Sequence, residues 1–307
     1  MTRVSVVIPT YNCAARLMRA LASIAAQTYP REHIEVIVID DGSSDDTAEH
    51  VAAFAGSAPF EVHYERQANA GPAAARNRGL KLVRGEAIAF LDADDAWEPE
   101  KLTRQLPLLG GAVGLVYCGN HFVDGQGAPL ANYVRAIPAY CGDILLPLFC
   151  EFFLLTSAVV VSRGVLDTVG AFREDLPVGE DYEFFLRIAA RFQADCATQE
   201  LLVRCVRPDS LSRRDYALDA RIDLATLTQF VHEHPEFERQ HRAAVRQRLA
   251  RYRYDFAYKL LADGRAREAT AELLQSLRTQ PSMAALRTLL RATVMPARPA
   301  ATQRQNG

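Results

Sequence analysis

Three carboxylates crowd the stretch AIAFLDADDAW, where Asp92, Asp94 and Asp95 close an apolar run within four positions. Like charges this close raise one another's pKa and cost stability unless a cation or solvent relieves them. In extended chain Asp92 and Asp94 fall on one side while Ala93 points away, and two such oxygens can hold a hard divalent ion. The same residues suit an Asp-rich turn that caps a helix near Glu98-Pro99, and the tripeptide alone does not separate the two readings. A second acidic cluster, Asp40-Asp41-Gly42-Ser43-Ser44, follows the run IEVIVI. Its carboxylates can accept hydrogen bonds from a base or ribose, or form an Asx turn with a helix cap. Arg76 and Arg78 can meet a diphosphate through charge-assisted bonds or simply face solvent, and Tyr11 can stack on a base or pack. In Gly179-Glu180-Asp181-Tyr182 a carboxylate either caps a helix or serves as base for an alcohol nucleophile beside a cleft.

These residues need elements that bring them together. Val4 to Ile8 and Ile34 to Ile39 are β-branched runs fit for strands buried on both faces, and Phe60 to Tyr64 and Glu86 to Leu91 continue the series. Between them, Ala14 to Gln27 carries Leu17, Leu21 and Ile24 at helical spacing, Thr47 to Phe54 is a second helix, and Gly71-Pro72 starts a third through Leu82. Repeated βα units predict a mostly parallel sheet covered by helices, with ligands outside the carboxyl ends of the strands. That rim collects Pro9 to Asn12, Asp40 to Ser43, the Gly71 helix start and Asp92 to Asp95. Further on, a helix over Pro99 to Leu109, strands at Val113 to Cys118 and Ala158 to Val161, and a helix over Glu180 to Ala190 are expected. From about Ala217 helical patterns dominate. Tyr254, Ala257 and Leu261 stripe one arm of a hairpin around Asp263-Gly264, and Ala269, Leu273 and Leu277 the other, giving a helical cap and then a disordered tail over 296–307.

The chain has 307 residues, 49% hydrophobic and 23% charged, enough for one large α/β domain with an extension. Its net charge of -2 hides an asymmetry: from His241 to Gly307 there are 13 Lys and Arg against 4 Asp and Glu, so that stretch is basic and the rest acidic. The six cysteines show no CxxC pair and read as reduced core thiols, consistent with a cytoplasmic compartment. MTRVSVVIPTYN lacks the features of a signal peptide, and LLPLFCEFFLLTSAVVV is broken by Pro147 and Glu151, so no membrane span is expected. The basic residues lack interleaved aromatics in a recognised module, which speaks against nucleic acid as a partner.

Five blocks, VSVVIPTYN, EVIVIDDGSSDDT, NAGPAAARNRGL, AFLDADDAWEP and VGAFREDLPVGEDYEFFLR, resemble in order and spacing the bacterial family 2 glycosyltransferases. The resemblance covers residues 3–215. It implies a GT-A fold, α/β and Rossmann-like, over 1–215, followed by a helical region over 216–295. It implies donor contacts from Pro9, Tyr11, Asp41, Arg76, Asp92 and Ala93, with Tyr11 and Asp41 at the base and Arg76 at base or diphosphate. Asp94, with Asp92, would hold Mn2+ or Mg2+, and Asp181 would be the general base of an inverting transfer from a UDP-sugar to a glycan, lipid-linked or protein hydroxyl. Two departures stand out. VRPDSLS carries Arg207 where relatives have His, which makes Arg207 a candidate phosphate contact. The Gln-x-x-Arg-Trp motif of processive synthases is absent, Trp97 being the only tryptophan, so transfer of one sugar is the better fit. A non-catalytic nucleotide-sugar binder has no need of Asp181, and a nucleotidyltransferase should carry a Gly-rich loop where this chain has PTYNCAAR. The C-terminal helices, with Leu286, Leu289, Leu290 and Val294 beside Arg287 and Arg291, suit peripheral contact with anionic lipid at the inner membrane face, or with a second copy of the chain.

Overall fold

The computed structural model describes residues 1–124, 127–130, 137–206 and 216–294. The chain divides into two compact units, Met1–Asp209 and Ser210–Gly307.

In the first unit β1 (Val4–Thr10), α1 (Ala14–Ala25), β2 (Ile34–Asp40), α2 (Thr47–Ala55), β3 (Glu61–Arg66), α3 (Pro72–Leu80) and β4 (Ala87–Phe90) alternate as the periodicity predicts. β5 (Asp95–Trp97), α4 (Lys101–Gln105), β6 (Val113–Val123), α5 (Leu145–Cys150), β7 (Val160–Ser162), α6 (Arg163–Val169), α7 (Glu180–Ala189) and β8 (Gln193–Cys205) follow. The strands form one sheet in the order β3-β2-β1-β4-β7-β6-β8-β5. β3, β2, β1 and β4 are parallel, whereas β7 runs antiparallel to β4 and β6, β8 parallel to β6, and β5 antiparallel to β8.

The parallel half follows from composition. β2 and β4 are buried along their whole length because helices cover both faces of a sheet joined by crossovers. β3, at the edge, is the polar sequence EVHYER with no fully buried residue. Leu17, Leu21 and Ile24 of α1 pack into the main core with Val6, Val36 and Ala89. α3 lies so close to β1 that a Cβ on Gly79 would sit 2.5 Å from Val7 Cγ1, which accounts for glycine in the last turn of that helix.

The other half is mixed, and the sheet curls. β5 follows β4 almost at once in the chain, yet β7, β6 and β8 lie between them in the sheet. Phe90 to Asp95 reaches about 17 Å at full extension, while four strand spacings in a flat sheet measure about 19 Å. The sheet must therefore bend back on itself, and the acidic stretch 92–94 is the link that crosses.

Several expected boundaries move. The helix over Pro99 to Leu109 stops at Gln105 and tightens into a 3-10 turn over Leu106–Leu108, where Pro107 offers no amide hydrogen. The strand from Val113 runs to Val123, and β8 pairs with it through two register shifts around Gly119. Asp92 and Asp94 are not in extended chain: Asp95 N–H donates to Asp92 O at 3.0 Å and closes a turn through Ala93 and Asp94. The same-side alternation drawn from a strand is therefore corrected, because the chain reverses there to join β5.

The second unit contains α8 (Tyr216–Glu233), α9 (Pro235–Gln240), α10 (Arg242–Ala262), α11 (Ala266–Thr279) and α12 (Met283–Val294). Its core gathers Leu224, Phe256, Ala257, Leu260, Ala269, Leu273 and Ala285. The α10 stripe thus centres on Phe256 and Leu260, with Tyr254 and Leu261 at its margin. Among the described residues no helix is long and apolar enough to cross a membrane.

Candidate functional site

The carboxyl ends of β1, β2 and β4 meet at one rim, and hydrogen bonds sew their loops together. Asn12, held at φ 47°, donates its amide to Ser43 Oγ at 2.9 Å and accepts Ser44 N–H on Oδ1 at 2.8 Å. Asp45 accepts the amide of Ala14 at the start of α1 at 3.2 Å. Asp41, 5% exposed, accepts Gln67 Nε2 at 2.8 Å and the amides of Ala70 and Gly71 at 2.9 and 2.8 Å. It thereby shapes the loop that leads into α3. Asp40 is taken by the Ser43 amide and Tyr64 Oη. Tyr11 is 52% exposed on the same rim, and Pro9 sits in β1 opposite Ile39.

Arg76 lies at the centre of the acidic groups. Its side chain is buried, with Nη2 2.8 Å from Asp92 Oδ1, Nη1 2.7 Å from Glu180 Oε1, and its guanidinium 5.5 Å from the centre of the Phe172 ring. Burial works against this charge, but Asp92 and Glu180 outweigh it and raise the pKa, so the group stays cationic. Arg78, by contrast, pairs with Glu65 on the exposed face of the helix. Of the two arginines only Arg76 joins the site, because α3 turns neighbours two apart to different faces.

Gly179 has φ 74°, a conformation that favours glycine, and it sets the direction of α7 so that Glu180 and Asp181 enter at its first turn. Asp181 accepts the Tyr182 amide at 2.8 Å and the Thr156 hydroxyl at 3.3 Å. Burial, then the charge of Glu180, pushes Asp181 up to about 6, with Arg76 opposing.

At the acidic turn, Asp92 donates its amide to Ser157 Oγ at 3.0 Å, and Trp97 Nε1 donates to Ser157 O at 2.9 Å. Ala93 is buried, while Asp92 and Asp94 are half-buried. Asp95 is buried and pushed up to about 7, first by burial and then by the charges of Asp92 and Asp94, against Arg204, 3.8 Å away. The negative potential of Asp92 and Asp94 is thus felt at their neighbour. Hard oxygen donors under such a potential fit Mn2+ or Mg2+.

Among the described residues one group has three side chains close enough to share an ion: Glu35, Glu61 and His63. It lies near the amino ends of β2 and β3, away from the rim. Arg3 and Arg84 both pair with Glu35 and Glu61, at 2.7 to 3.2 Å, so that cluster already has its cations. The signal for Thr156 and Ser157 in the sequence is slight, two small hydroxyl residues inside the apolar run FFLLTSAVVV. Arg207 lies outside the described residues.

Residues 5–149 match the family model described as glycosyl transferase family 2. An uncharacterized glycosyltransferase of Nostoc is 42% identical over 179 residues, 54% of this chain and 53% of that protein. The chain spans between 31% and 53% of the length of the first curated relatives it matches. Staphylococcus aureus TarS 1–349, crystallised with UDP-GlcNAc, superposes with a TM-score of 0.66 at 19% identity, covering 91% of this chain and 82% of that one. The mannosyltransferase PcManGT from Pyrobaculum calidifontis, in complex with GDP-Man and Mn2+, gives 0.62 at 22% identity, covering 95% and 84%. With its mixed, curled eight-stranded sheet carrying the matched segment, the chain has the GT-A fold, and residues 5–149 belong to glycosyl transferase family 2.

Proposed function

We propose that this chain is an inverting glycosyltransferase that moves a single sugar from a nucleoside diphosphate sugar, a UDP-sugar first among them, to a hydroxyl of a glycan, lipid-linked or protein acceptor. The observation that carries this reading is Asp181: a carboxylate pushed up to about 6, tied through Glu180 and Arg76 to the acidic turn at Asp92. A base poised near neutrality can accept a proton from an alcohol as its oxygen attacks. Asp181 takes the acceptor's proton, the new bond forms between that oxygen and the anomeric carbon, and the bond to the diphosphate oxygen breaks on the opposite face. The electron pair leaves with the nucleoside diphosphate, and the anomeric centre is inverted.

Asp94 and Asp92 would hold the divalent ion, which when bound neutralises charge on the leaving diphosphate. Arg76, spanning Asp92 and Glu180, keeps the carboxylates from repelling one another. Tyr11, exposed at the rim, is the surface on which the base would stack, and Pro9, Asp41 and Ala93 would be the further donor contacts. The nucleotide sugars bound by TarS and PcManGT support the donor class. In the second unit, Leu286 and Leu290 are exposed beside Arg287 and Arg291 on α12, a pattern suited to resting on anionic lipid.

The test is a thermal-shift panel of UDP-glucose, UDP-galactose, UDP-GlcNAc and GDP-mannose with and without Mn2+, followed by release of nucleoside diphosphate from the best donor, with water as surrogate acceptor. Donor binding that persists while release is lost in Asp181→Asn supports the reading. No metal-dependent binding of any donor, or undiminished release by Asp181→Asn, overturns it.

A further inference from the structure

We infer that the Thr156-Ser157 turn is a positioning device that sets the base against the metal-binding turn, one hydroxyl acting on each. The inference rests on the proposed roles of Asp181 and Asp92. Neither hydroxyl touches a reacting atom in this scheme.

The two side chains are adjacent in the chain and reach different partners. Thr156 is 5% exposed and donates its hydroxyl to Asp181 Oδ2 at 3.3 Å. Ser157 is 1% exposed, and its Oγ accepts the Asp92 amide at 3.0 Å. The serine oxygen therefore holds the start of the acidic turn through a lone pair directed at Asp92 N–H.

The turn itself is well anchored. Residues Thr156–Ala158 form a 3-10 turn whose amides return to Leu155 O and Thr156 O at 2.9 and 3.1 Å. Gln105 Nε2 of α4 donates to Ala158 O at 2.9 Å, and Trp97 Nε1 of β5 donates to Ser157 O at 2.9 Å. A short, buried turn, closed by its own backbone bonds and held by two side chains from neighbouring elements, gives the two hydroxyls little room to wander.

Together with Arg76 the contacts close a ring. Asp92 leads through Arg76 to Glu180, Glu180 is bonded in the chain to Asp181, Asp181 meets Thr156, and Thr156 is bonded to Ser157, which returns to Asp92. A ring fixes what a pair would leave free. Arg76 determines the separation of α7 from the acidic turn, while the hydroxyls determine how each carboxylate is presented. Catalytic groups need placement within about 0.5 Å, and an error near 1 Å can cost about 100-fold in rate.

The test uses the full-length protein with its best nucleotide sugar from the panel and Mn2+. Thr156→Val keeps shape and removes the donor, and kcat for diphosphate release should fall about tenfold at unchanged donor KM and unchanged Mn2+ affinity. Thr156→Ser should restore at least half of the lost rate, because the hydroxyl and not the methyl does the work. Ser157→Ala should weaken Mn2+ binding five- to tenfold in titration calorimetry, a measurement that needs no turnover. If Thr156→Val is too unstable to assay, Thr156→Ser against Thr156→Ala decides the same point. Wild-type kcat in Thr156→Val, with Asp181→Asn inactive, overturns this inference and leaves the base reading standing. Wild-type release in Asp181→Asn overturns that reading itself. Unchanged Mn2+ affinity in Ser157→Ala removes the metal arm of the inference.

Discussion

Replacing Arg76 with methionine isolates the interaction that holds the acidic site together. The guanidinium is 5% exposed and bridges Asp92 and Glu180 at 2.8 and 2.7 Å, with Asp181 also contributing to its raised pKa. Methionine fills the space but leaves three carboxylates facing one another around an apolar tip. Breaking a buried pair by removing one partner costs about 3 to 5 kcal/mol, a large part of the roughly 5 to 15 kcal/mol that holds a domain folded. In a unit of this size that corresponds to a fall in Tm of roughly 6 to 20 °C. The sign with pH follows from linkage. Without the cation, the folded-state pKa values of these carboxylates rise above their unfolded values, so the variant gains relative stability as pH falls and loses it as pH rises. The gap from wild type should therefore be widest near pH 8 and narrow toward pH 5. Urea unfolding followed by the fluorescence of Trp97, buried in the same unit and the only tryptophan, reads this directly when a chelator is present. Arg76→Lys should recover part of the loss, since an ammonium keeps the charge but not the two-pronged geometry. A loss below about 1 kcal/mol, or a gap that does not change between pH 5 and 8, would refute the reasoning.

Turnover should rise with pH through an acid limb near 6, since Asp181 must be ionised to accept a proton and burial holds it at about 6. Glu180→Gln removes the second cause of that shift, so the limb in a pH profile of kcat should move to lower pH while staying above that of a free carboxylate. Lys101 of α4 is fully buried, lies 4.1 Å from the Trp97 ring centre and has no hydrogen-bond partner at Nζ among the described residues, and burial lowers it to about 8. A Lys whose folded pKa is lowered destabilises the fold below about 8 and ceases to do so as pH rises toward its unfolded value; Lys101→Met should therefore stabilise at pH 7 by about 1 to 3 kcal/mol and flatten the rise in stability between pH 8 and 10. Chelation, or Asp94→Asn, should reduce the thermal shift produced by a saturating nucleotide sugar, worth about 2.7 kcal/mol at a hundred times Kd, and an undiminished shift would count against a metal at the acidic turn.

The first four strands and three helices were legible because their signals are local. β1, β2 and β4 are apolar throughout, and only a sheet covered on both faces buries such runs. The acidic clusters were legible as candidates for the same reason: they follow those strands, and the strand-end rule places them at one rim. β5 and β8 were not foreseen. Asp95–Trp97 is three residues long and has no periodicity of its own, while β8 holds polar residues in QADCATQELLVRC that look like loop until β6 pairs with them.

The sequence by itself determined which residue types stand at the strand ends and in what order, because hydrophobic period and turn chemistry act over a few neighbours. It also determined that Glu180 and Asp181 open a helix after a glycine suited to positive φ. Only the tertiary structure decided that Arg76 faces Asp92 and Glu180 while Arg78 faces Glu65, that the acidic stretch is a turn, and that Thr156 and Ser157 each take one carboxylate-bearing segment. The side-chain contacts among those outcomes join residues 13 to 104 positions apart. They depend on how far a curled sheet brings β7 toward the end of β4, and no local pattern carries that distance.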